Sequence, residues 1–361
     1  MAQASLARGT AAAVASFAAT VRARQVAARY PQLLTGRRKV LYQRRRRSGL
    51  VAVARFHGDL TDEQRAALGQ FRLDQYMLSG LYDADAIARQ ELDVDPSLDE
   101  LAPEAAHILV GTKDHRLLAY FCMQTATAPA GAAPQRSLLR TLFGIGAPKY
   151  LLSPGRPTFP SERELFGLSV FSSLPALRHI PVTRMRELTR LLRNQTVRSP
   201  LGVIAVVEAI YAMTQVLLHS KPHIAVALGC GGRESRQILA NLKMPMLYAP
   251  EAPVIVRQTT PKDAYWISPT NADGIFWPFV VATADLRRQH GYLKRLNAAL
   301  ARPARRIRQA LVQLRQERFT YAPYALIQEM RTAYALWTAD PFYDQDISHA
   351  NPIQANPVAD A

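Results

Sequence analysis

A carboxylate and a guanidinium group stand three residues apart within residues 183–194, TRMRELTRLLRN. The carboxylate of Glu187 is of a type that can take a proton from an amine as a general base. The guanidinium of Arg190 can orient that carboxylate, or it can bind the carboxylate of a substrate through a two-pronged contact. The pair is therefore a candidate site for chemistry on an amine.

The secondary structure of this stretch decides whether the two side chains can act together. Its pattern fits either a helix or a strand. In a helix, residues three apart form a routine surface ion pair. In a regular strand they face opposite sides, so Glu187 and Arg190 can serve one site only if a β-bulge lies between them.

The segments that follow suit the binding of a phosphate group. Ser199 and Pro200 are typical of the first residues of a helix, and residues 201–218 continue it with apolar side chains. Residues 223–228, HIAVAL, indicate a strand covered on both faces. Because a helix N-terminus offers unpaired N–H groups to an anion, the expected ligand is a phosphate group, and a phosphate-bearing acyl carrier is one such partner. The candidate phosphate-binding residues are Arg193, Arg198, Ser199, Leu201 and Gly202.

Charge and pattern divide the chain into four regions. Residues 1–58 hold twelve Lys and Arg and no Asp or Glu, which predicts a basic N-terminal extension with the run Arg44–Arg47 as a linker flank. Residues 59–260 carry the patterned segments of a folded domain. Residues 261–340 are predicted to be a basic helical region, and residues 341–361 a loosely ordered tail.

Folding proper is predicted to begin at Thr61, where Thr61 and Gln64 form a capping box ahead of a helical pattern. Residues 107–110 and 117–123 indicate a β-hairpin. Residues 126–160, which are rich in Ala, Pro and Gly, indicate an insertion or a mobile flap.

Helical and strand patterns alternate in the second half of the chain. Residues 233–243 indicate a helix, residues 246–256 a pair of strands, and the sequence after Asp285 a basic helix. This order predicts an α+β fold, with a mixed central sheet flanked by helices and at least one parallel pairing.

The formal net charge of +17 limits the class of partner but does not name it. Basic chain ends attract nucleic acid, anionic lipid or an acidic protein, and the field alone does not choose among them. One hypothesis is therefore a non-enzymatic basic protein that binds nucleic acid or an anionic membrane, and residues 1–58 suit a peripheral membrane contact. The basic ends lack the interleaved aromatic residues and recognition modules typical of nucleic-acid binding.

Two cysteines and eight histidines give no sign of a metal site or a disulfide framework. Cys122 and Cys230 lie in separate apolar runs, which favours reduced thiols and a cytoplasmic location, with or without membrane association. The histidines show no metal-ligand spacing, so no bound metal is expected. The sequence has no run of eighteen apolar residues, so no membrane-spanning helix is predicted.

Four short motifs resemble those of one enzyme family. In chain order they are Arg72 and Tyr76 in FRLDQY, Tyr82, Glu91 and Asp93 in ELDVDP, and Glu-Leu-Thr-Arg at residues 187–190. With the order of elements over residues 60–256, they resemble the GNAT-fold acyltransferases, and more narrowly the acyl-homoserine lactone synthases and N-acyl amino acid synthases. The chain departs from the family at Asp95, which stands one place early, and at Cys122 or Gln124, where the family has an Arg.

The resemblance implies a GNAT-like fold and an N-acyltransferase. Such an enzyme moves a fatty acyl group to an amino-acid-like amine from acyl-CoA or from the phosphopantetheine of acyl carrier protein, with no bound cofactor. It implies that Glu187 and Arg190 are catalytic, and that the acceptor is bound by Arg72, Tyr76, Tyr82 and Asp93. The tyrosines, with Phe166 and Phe171, line an acyl pocket or form plain core.

Overall fold

The computed structural model describes ten stretches of the chain: residues 18–36, 40–46, 48–99, 101–125, 182–197, 200–220, 223–231, 233–248, 254–255 and 275–300. Several predictions lie outside the described residues. They are the flap at 126–160, the basic helix beyond residue 300, the C-terminal tail, Phe166, Phe171, Arg198 and Ser199.

Seven helices and nine strands make up the described part of the chain. The helices are α1 (residues 18–27), α2 (Pro31–Leu34), α3 (Asp62–Leu78), α4 (Ala84–Arg89), α5 (Pro200–His219), α6 (Arg233–Asn241) and α7 (Thr283–Leu300). The strands are β1 (Tyr42–Arg45), β2 (Leu50–Phe56), β3 (Ala106–Thr112), β4 (Leu117–Gln124), β5 (Met185–Arg193), β6 (Val226–Gly231), β7 (Leu247–Tyr248), β8 (Val254–Ile255) and β9 (Ile275–Ala282).

All nine strands belong to one mixed sheet, so the predicted α+β class is confirmed. The order is β1-β2-β3-β4-β5-β6-β9-β7, with β8 also paired to β9. Only the β5–β6 pair is parallel among these described strands. The long helix α5 makes the crossover that a parallel pair requires.

Two apolar cores lie on opposite faces of the sheet. On one face, α5 and α7 pack against side chains such as Ile108 and Val110 of β3. On the other face, α2, α3 and α4 pack against Leu109 of β3 and against Tyr120 and Cys122 of β4. Because β2, β3 and β4 are covered on both sides, their sequences are mostly apolar instead of alternating.

The predicted start of α3 is confirmed in detail. The backbone N–H of Gln64 donates to Oγ1 of Thr61 at 3.2 Å, and the N–H of Thr61 donates to Oε1 of Gln64 at 3.0 Å. This capping box satisfies two N–H groups that the first turn would otherwise leave without partners.

The prediction that folding proper begins at Thr61 is wrong. Strand β2 lies between β1 and β3 and is buried along almost its whole length. Helix α1 is fastened to α3 by an ion pair between Arg24 and Asp74. Basic composition therefore did not mark an extension here, and removing residues 1–58 would take β1 and β2 out of the sheet.

The basic run Arg44–Arg47 is not a linker flank either. Arg44 and Arg45 lie in β1, and the Arg46 side chain is buried against the Glu208 carboxylate of α5. Asn297 of α7 donates to Glu208 at 2.7 Å, so the acid is held from two sides. The run was misread because its counter-charge lies far away in the sequence, inside an otherwise apolar helix.

The elements after β5 match the predictions only in part. Helix α6 is confirmed, and residues 246–256 do contain two strands, but both pair with β9 and not with each other. Strand β9 itself was not predicted. Helix α5 is long and apolar enough to cross a membrane, yet most of it is buried against the sheet, as in the core helix of a soluble protein.

Gly229 allows the close approach of β5 and β6, and its replacement is a direct test of this packing. A Cβ at Gly229 would lie 2.5 Å from the Leu188 carbonyl oxygen and 2.8 Å from Cζ of Phe279. We expect Gly229→Ala to lower the free energy of unfolding by about 1–3 kcal/mol, since the strands must move apart. Urea denaturation measures this change.

Gly231 of the same strand is the matched control. A Cβ there would meet its nearest neighbour, Cβ of Ser235, at 3.5 Å, which is an ordinary contact. Gly231→Ala should leave stability unchanged or raise it by less than about 1 kcal/mol. Equal losses in the two variants would contradict the close approach at Gly229.

Candidate functional site

A β-bulge interrupts β5 at the Glu-Leu-Thr-Arg motif. Thr189 is opposite Cys122 and Leu192 is opposite Tyr120, so two residues of β5, Arg190 and Leu191, stand against a single residue of β4. Arg190 has a φ of 61°, which is unusual for a residue other than Gly, Asn or Asp. The stretch is thus a strand, and the bulge that the sequence required between Glu187 and Arg190 is present.

The bulge brings Glu187 and Arg190 to the same face of the sheet. Glu187 is paired with Gln124, whose side chain shares the α3 face with Cys122 and Tyr120. Arg190 donates from Nη1 to the hydroxyl of Tyr76 in α3, at 3.1 Å. Without the extra residue, a spacing of three would have directed Arg190 to the α5 face.

A buried ion pair lies beneath this face. Nη2 of Arg72 is 2.7 Å from Oδ2 of Asp95, and both side chains are fully buried. Oδ1 of Asp95 accepts hydrogen bonds from the Tyr82 hydroxyl at 3.0 Å and from the backbone N–H and hydroxyl of Ser97 at 3.0 and 2.8 Å. The acid is therefore bound by a guanidinium, a phenol and a turn at the same time.

The ion pair fixes the charge state of both partners. Burial by itself would raise the pKa of Asp95, but Arg72, Arg190 and the Ser97 hydrogen bonds together bring this pKa below its ordinary value. Burial likewise opposes the charge of Arg72, and the Asp95 carboxylate outweighs it and raises the pKa of Arg72. Both groups are therefore ionised at neutral pH.

Three tyrosines surround the ion pair. The rings of Tyr76 and Tyr82 lie 4.7 Å apart between centroids. The Arg72 guanidinium lies over the ring of Tyr120 at 5.6 Å, and its Nη1 donates to the Tyr120 hydroxyl at 3.5 Å. Arg72 thus contacts Asp95 on one side and Tyr120 on the other. Tyr76, which lies in the same helix, contacts Arg190.

Most of the acceptor residues predicted from the sequence come together, but one does not. Arg72, Tyr76 and Tyr82 are neighbours in the fold, whereas Asp93 is exposed to solvent. Asp95, which stands one place early for the motif, is the acid that contacts Arg72. Because Arg72 has no exposed surface, its geometry suits holding the site in place better than direct contact with an acceptor.

Hydrogen bonds hold the turn that follows β5, at the end of the site where phosphate binding was predicted. Nδ2 of Asn194 donates to the Leu117 carbonyl at 2.7 Å, and Oδ1 of Asn194 accepts from the Thr196 N–H at 2.9 Å. The Gln195 N–H donates to Oε1 of Gln75 at 2.7 Å, which joins the turn to α3. This turn leads from β5 toward the first residue of α5.

Three of the predicted phosphate residues are described. Arg193 is exposed, and its aliphatic stem passes 3.3 Å from where a Cβ of Gly202 would lie. Gly202 is buried in the first turn of α5, and Leu201 is half-buried. The side chain of Arg193 therefore runs alongside the N-terminal turn of α5.

The parallel ladder beside the motif is short. Met185 to Leu188 of β5 pair with Val226 to Gly229 of β6, which makes four pairs. Both strands continue past the ladder, β5 to Arg193 and β6 to Gly231. Strand β5 is buried at Glu187 and Leu188 and only half-buried from Thr189 to Leu191, so it becomes more accessible where the ladder ends.

Sequence reasoning assigned no site role to four polar residues on this side of the sheet. They are Asp95, Tyr120 and two histidines, His57 and His107, which are hydrogen-bonded to each other. His107 did carry a signal, because a histidine between apolar residues of a predicted hairpin strand must find a polar partner. His57 carried none.

Comparison with known proteins adds one distant structure. No protein-family model matches the sequence, and no curated protein matches it significantly. A search of solved structures finds FeeM, an N-acyl amino acid synthase from uncultured soil microbes, at 13% identity and a TM-score of 0.35. The match covers 66% of this chain and 95% of that chain. A similarity at this TM-score establishes neither a shared fold nor a shared activity.

The Arg72–Asp95 ion pair makes a prediction about stability. Asp95→Asn leaves the buried Arg72 without its counter-charge, so we expect the free energy of unfolding to fall by about 3–5 kcal/mol. Asp93→Asn, two residues away and exposed, should change it by less than about 0.5 kcal/mol. Thermal or urea unfolding of the two variants checks this, and similar values for both would contradict the role of Asp95.

The same ion pair predicts a dependence of stability on pH. Because the folded pKa of Asp95 lies below its ordinary value of 3.8, its contribution is fully present above about pH 4. The contribution is lost as pH falls through the folded pKa, when the carboxylate takes up a proton. Unfolding measured from pH 7 to 3 should therefore show a loss of stability in the wild type that is smaller in Asp95→Asn.

Proposed function

We propose that this protein is an N-acyltransferase with a GNAT-like fold, which moves a fatty acyl group from a thioester to the amine of an amino-acid-like acceptor. The donor is acyl-CoA or the phosphopantetheine arm of acyl carrier protein. The observation that carries the proposal is the bulge at Arg190. It sets a buried carboxylate and a guanidinium on one face of the sheet, at the point where the parallel ladder of β5 and β6 ends.

The short ladder supports the place proposed for the donor. Strands that continue beyond their last pair have backbone N–H and C=O groups available for another extended chain. A pantetheine arm carries amides and is extended, so it can lie between β5 and β6 beyond Leu188 and Gly229. Its phosphate then extends toward Arg193 and the first turn of α5.

The chemistry of the motif supports the role of Glu187. An amino acid reaches the enzyme as an ammonium ion, and its nitrogen must lose a proton before it can attack a carbonyl carbon about 3–3.5 Å away. Glu187 accepts this proton in the proposal. Arg190, which is held by Tyr76, orients Glu187 or binds the acceptor carboxylate.

The reaction also needs hydrogen-bond donors near the thioester. In the proposal, donors that line the space between β5 and β6 stabilise the negative charge that develops on the thioester oxygen. Collapse of the intermediate breaks the carbon–sulfur bond, and the thiolate takes up one proton.

Glu187→Gln tests the proposal. The variant keeps the shape of the side chain but removes its basicity, so we expect the transfer rate to fall by about 100-fold or more. Mass spectrometry of amides formed from a panel of amino acids, with acyl-CoA or acyl carrier protein as donor, measures this fall. The unfolding temperature of the variant shows whether the fold is retained.

Glu63→Gln is the matched control, since Glu63 is an exposed carboxylate in the first turn of α3. It should transfer acyl groups at the wild-type rate. If Glu187→Gln is as active as this control while the wild type forms an N-acyl product, Glu187 is not the base. If the wild type forms no N-acyl product with any donor, the proposed function itself is wrong.

A further inference from the structure

Three hydrogen-bonded side chains cross the sheet from its interior to its surface. The Tyr120 hydroxyl of β4 is 2.9 Å from Nδ1 of His107 in β3. Nε2 of His107 is 3.1 Å from Nδ1 of His57, which begins the turn after β2. Tyr120 and His107 are 0% exposed and His57 is 8% exposed. This chain of hydrogen bonds is therefore closest to solvent at His57.

The contact with Arg72 favours one direction for these hydrogen bonds. A guanidinium can only donate, so the Tyr120 oxygen accepts from Arg72 and its own hydrogen can point at Nδ1 of His107. His107 then carries its hydrogen on Nε2 and donates it to Nδ1 of His57. His57 in turn carries its hydrogen on Nε2, which is the nitrogen not used within the chain.

The inner end of the chain lies next to the proposed base. Tyr120 and Cys122 are two residues apart in β4, so their side chains share the α3 face of the sheet. Cys122 is opposite Thr189, and Glu187 is two residues before Thr189, so Cys122 and Glu187 are diagonal neighbours on one face of the sheet. The donors from Tyr120 outward can point away from Glu187 and toward His57.

The proposed reaction needs such a route. A thioester and an ammonium ion give an amide, a free thiol and one surplus proton, since the ammonium loses two protons and the leaving thiolate takes up only one. Glu187 is only 2% exposed and so has little contact with bulk water to which it could pass this proton. The surplus proton therefore needs a path out of the protein.

We propose that His57, His107 and Tyr120 are this path, and that they carry the surplus proton of acyl transfer from the neighbourhood of Glu187 to solvent. This inference rests on the proposed function. Each member takes up one proton on its inner side and releases another on its outer side. No bond other than those to hydrogen changes, and rotation of the Tyr120 hydroxyl with exchange of the imidazole hydrogens restores the starting direction.

The charge state of the histidines suits this role. Burial, followed by the nearby Arg72 and by His57, holds the pKa of His107 well below its ordinary value. The pKa of His57 is lowered by burial, Arg65 and Arg72, against the opposing effect of Asp99. A neutral imidazole donates with one nitrogen and accepts with the other, as proton passage requires, whereas an imidazolium could only donate.

Nitrogen NMR of the full-length protein labelled in histidine tests the direction of the chain without any assay of activity. We expect both His57 and His107 to be neutral, with hydrogen on Nε2, at pH 7. Their signals are assigned from the variants His57→Asn and His107→Asn. Hydrogen on Nδ1 of His107 would reverse the direction of the hydrogen bonds and overturn the proposal.

Kinetics of His57→Asn test the passage itself. The Asn side chain keeps an atom close to the position of Nδ1, so the contact with His107 survives, but it cannot pass a proton on. In weakly buffered solution we expect kcat to fall about tenfold while KM stays unchanged. Imidazole buffer at about 50 mM should restore kcat, because the buffer carries the proton in place of His57. A residue with a purely structural role would show no rescue by buffer.

His115→Asn is the matched control. His115 is partly exposed in the β3–β4 turn, and its φ of 65° is one that Asn adopts readily. It should behave as the wild type in every buffer. If His57→Asn matches this control, or loses activity that imidazole does not restore, the exit route is wrong although acyl transfer stands. A wild type that transfers no acyl group refutes the proposed function instead.

Discussion

The ion pair between Arg72 and Asp95 is the interaction on which the candidate site depends. Two full charges are buried in one of the two cores, and an isolated charge there would be very costly. Each charge therefore has further hydrogen-bond partners. Asp95 accepts from Tyr82 and Ser97, and Arg72 donates to Tyr120. The polar residues beneath β4 and β5 thus form one connected group, whose members cannot move independently.

The bulge in β5 has the complementary effect on the backbone. Side chains of a strand alternate between faces, and here the helices on the two faces differ in kind. The α5 face is apolar around the motif, whereas the α3 face holds the buried polar group. One additional residue is enough to move Arg190 from the first environment to the second. The positive φ of Arg190 is the local cost of that change.

The sequence predicted the helices and the hairpin well, because local signals determine them. The capping box of α3, the Pro200 start of α5 and the apolar runs of β3 and β4 each lie within a few residues. Glu187 could also be singled out, together with the condition that a bulge must follow it. These features need no knowledge of what lies across the fold.

The failures have the opposite character. Arg46 looked like part of a solvated run because its partner, Glu208, lies more than 150 residues away. Asp93 was preferred to Asp95 because motif spacing cannot show which carboxylate turns inward. The connection between His57, His107 and Tyr120 depends on the register of three strands, and no local pattern fixes that register.

The order of the strands divides the sheet into two antiparallel blocks, β1 to β5 and β6 with β7 to β9. Four residue pairs of a parallel ladder are the only strand pairing between the blocks among the described residues. Helix α5 belongs to the first block by packing and meets the second chiefly through α7. Side-chain packing therefore does most of the joining, because the core under α5 and α7 includes residues of both blocks, such as Ala52 of β2 and Val281 of β9.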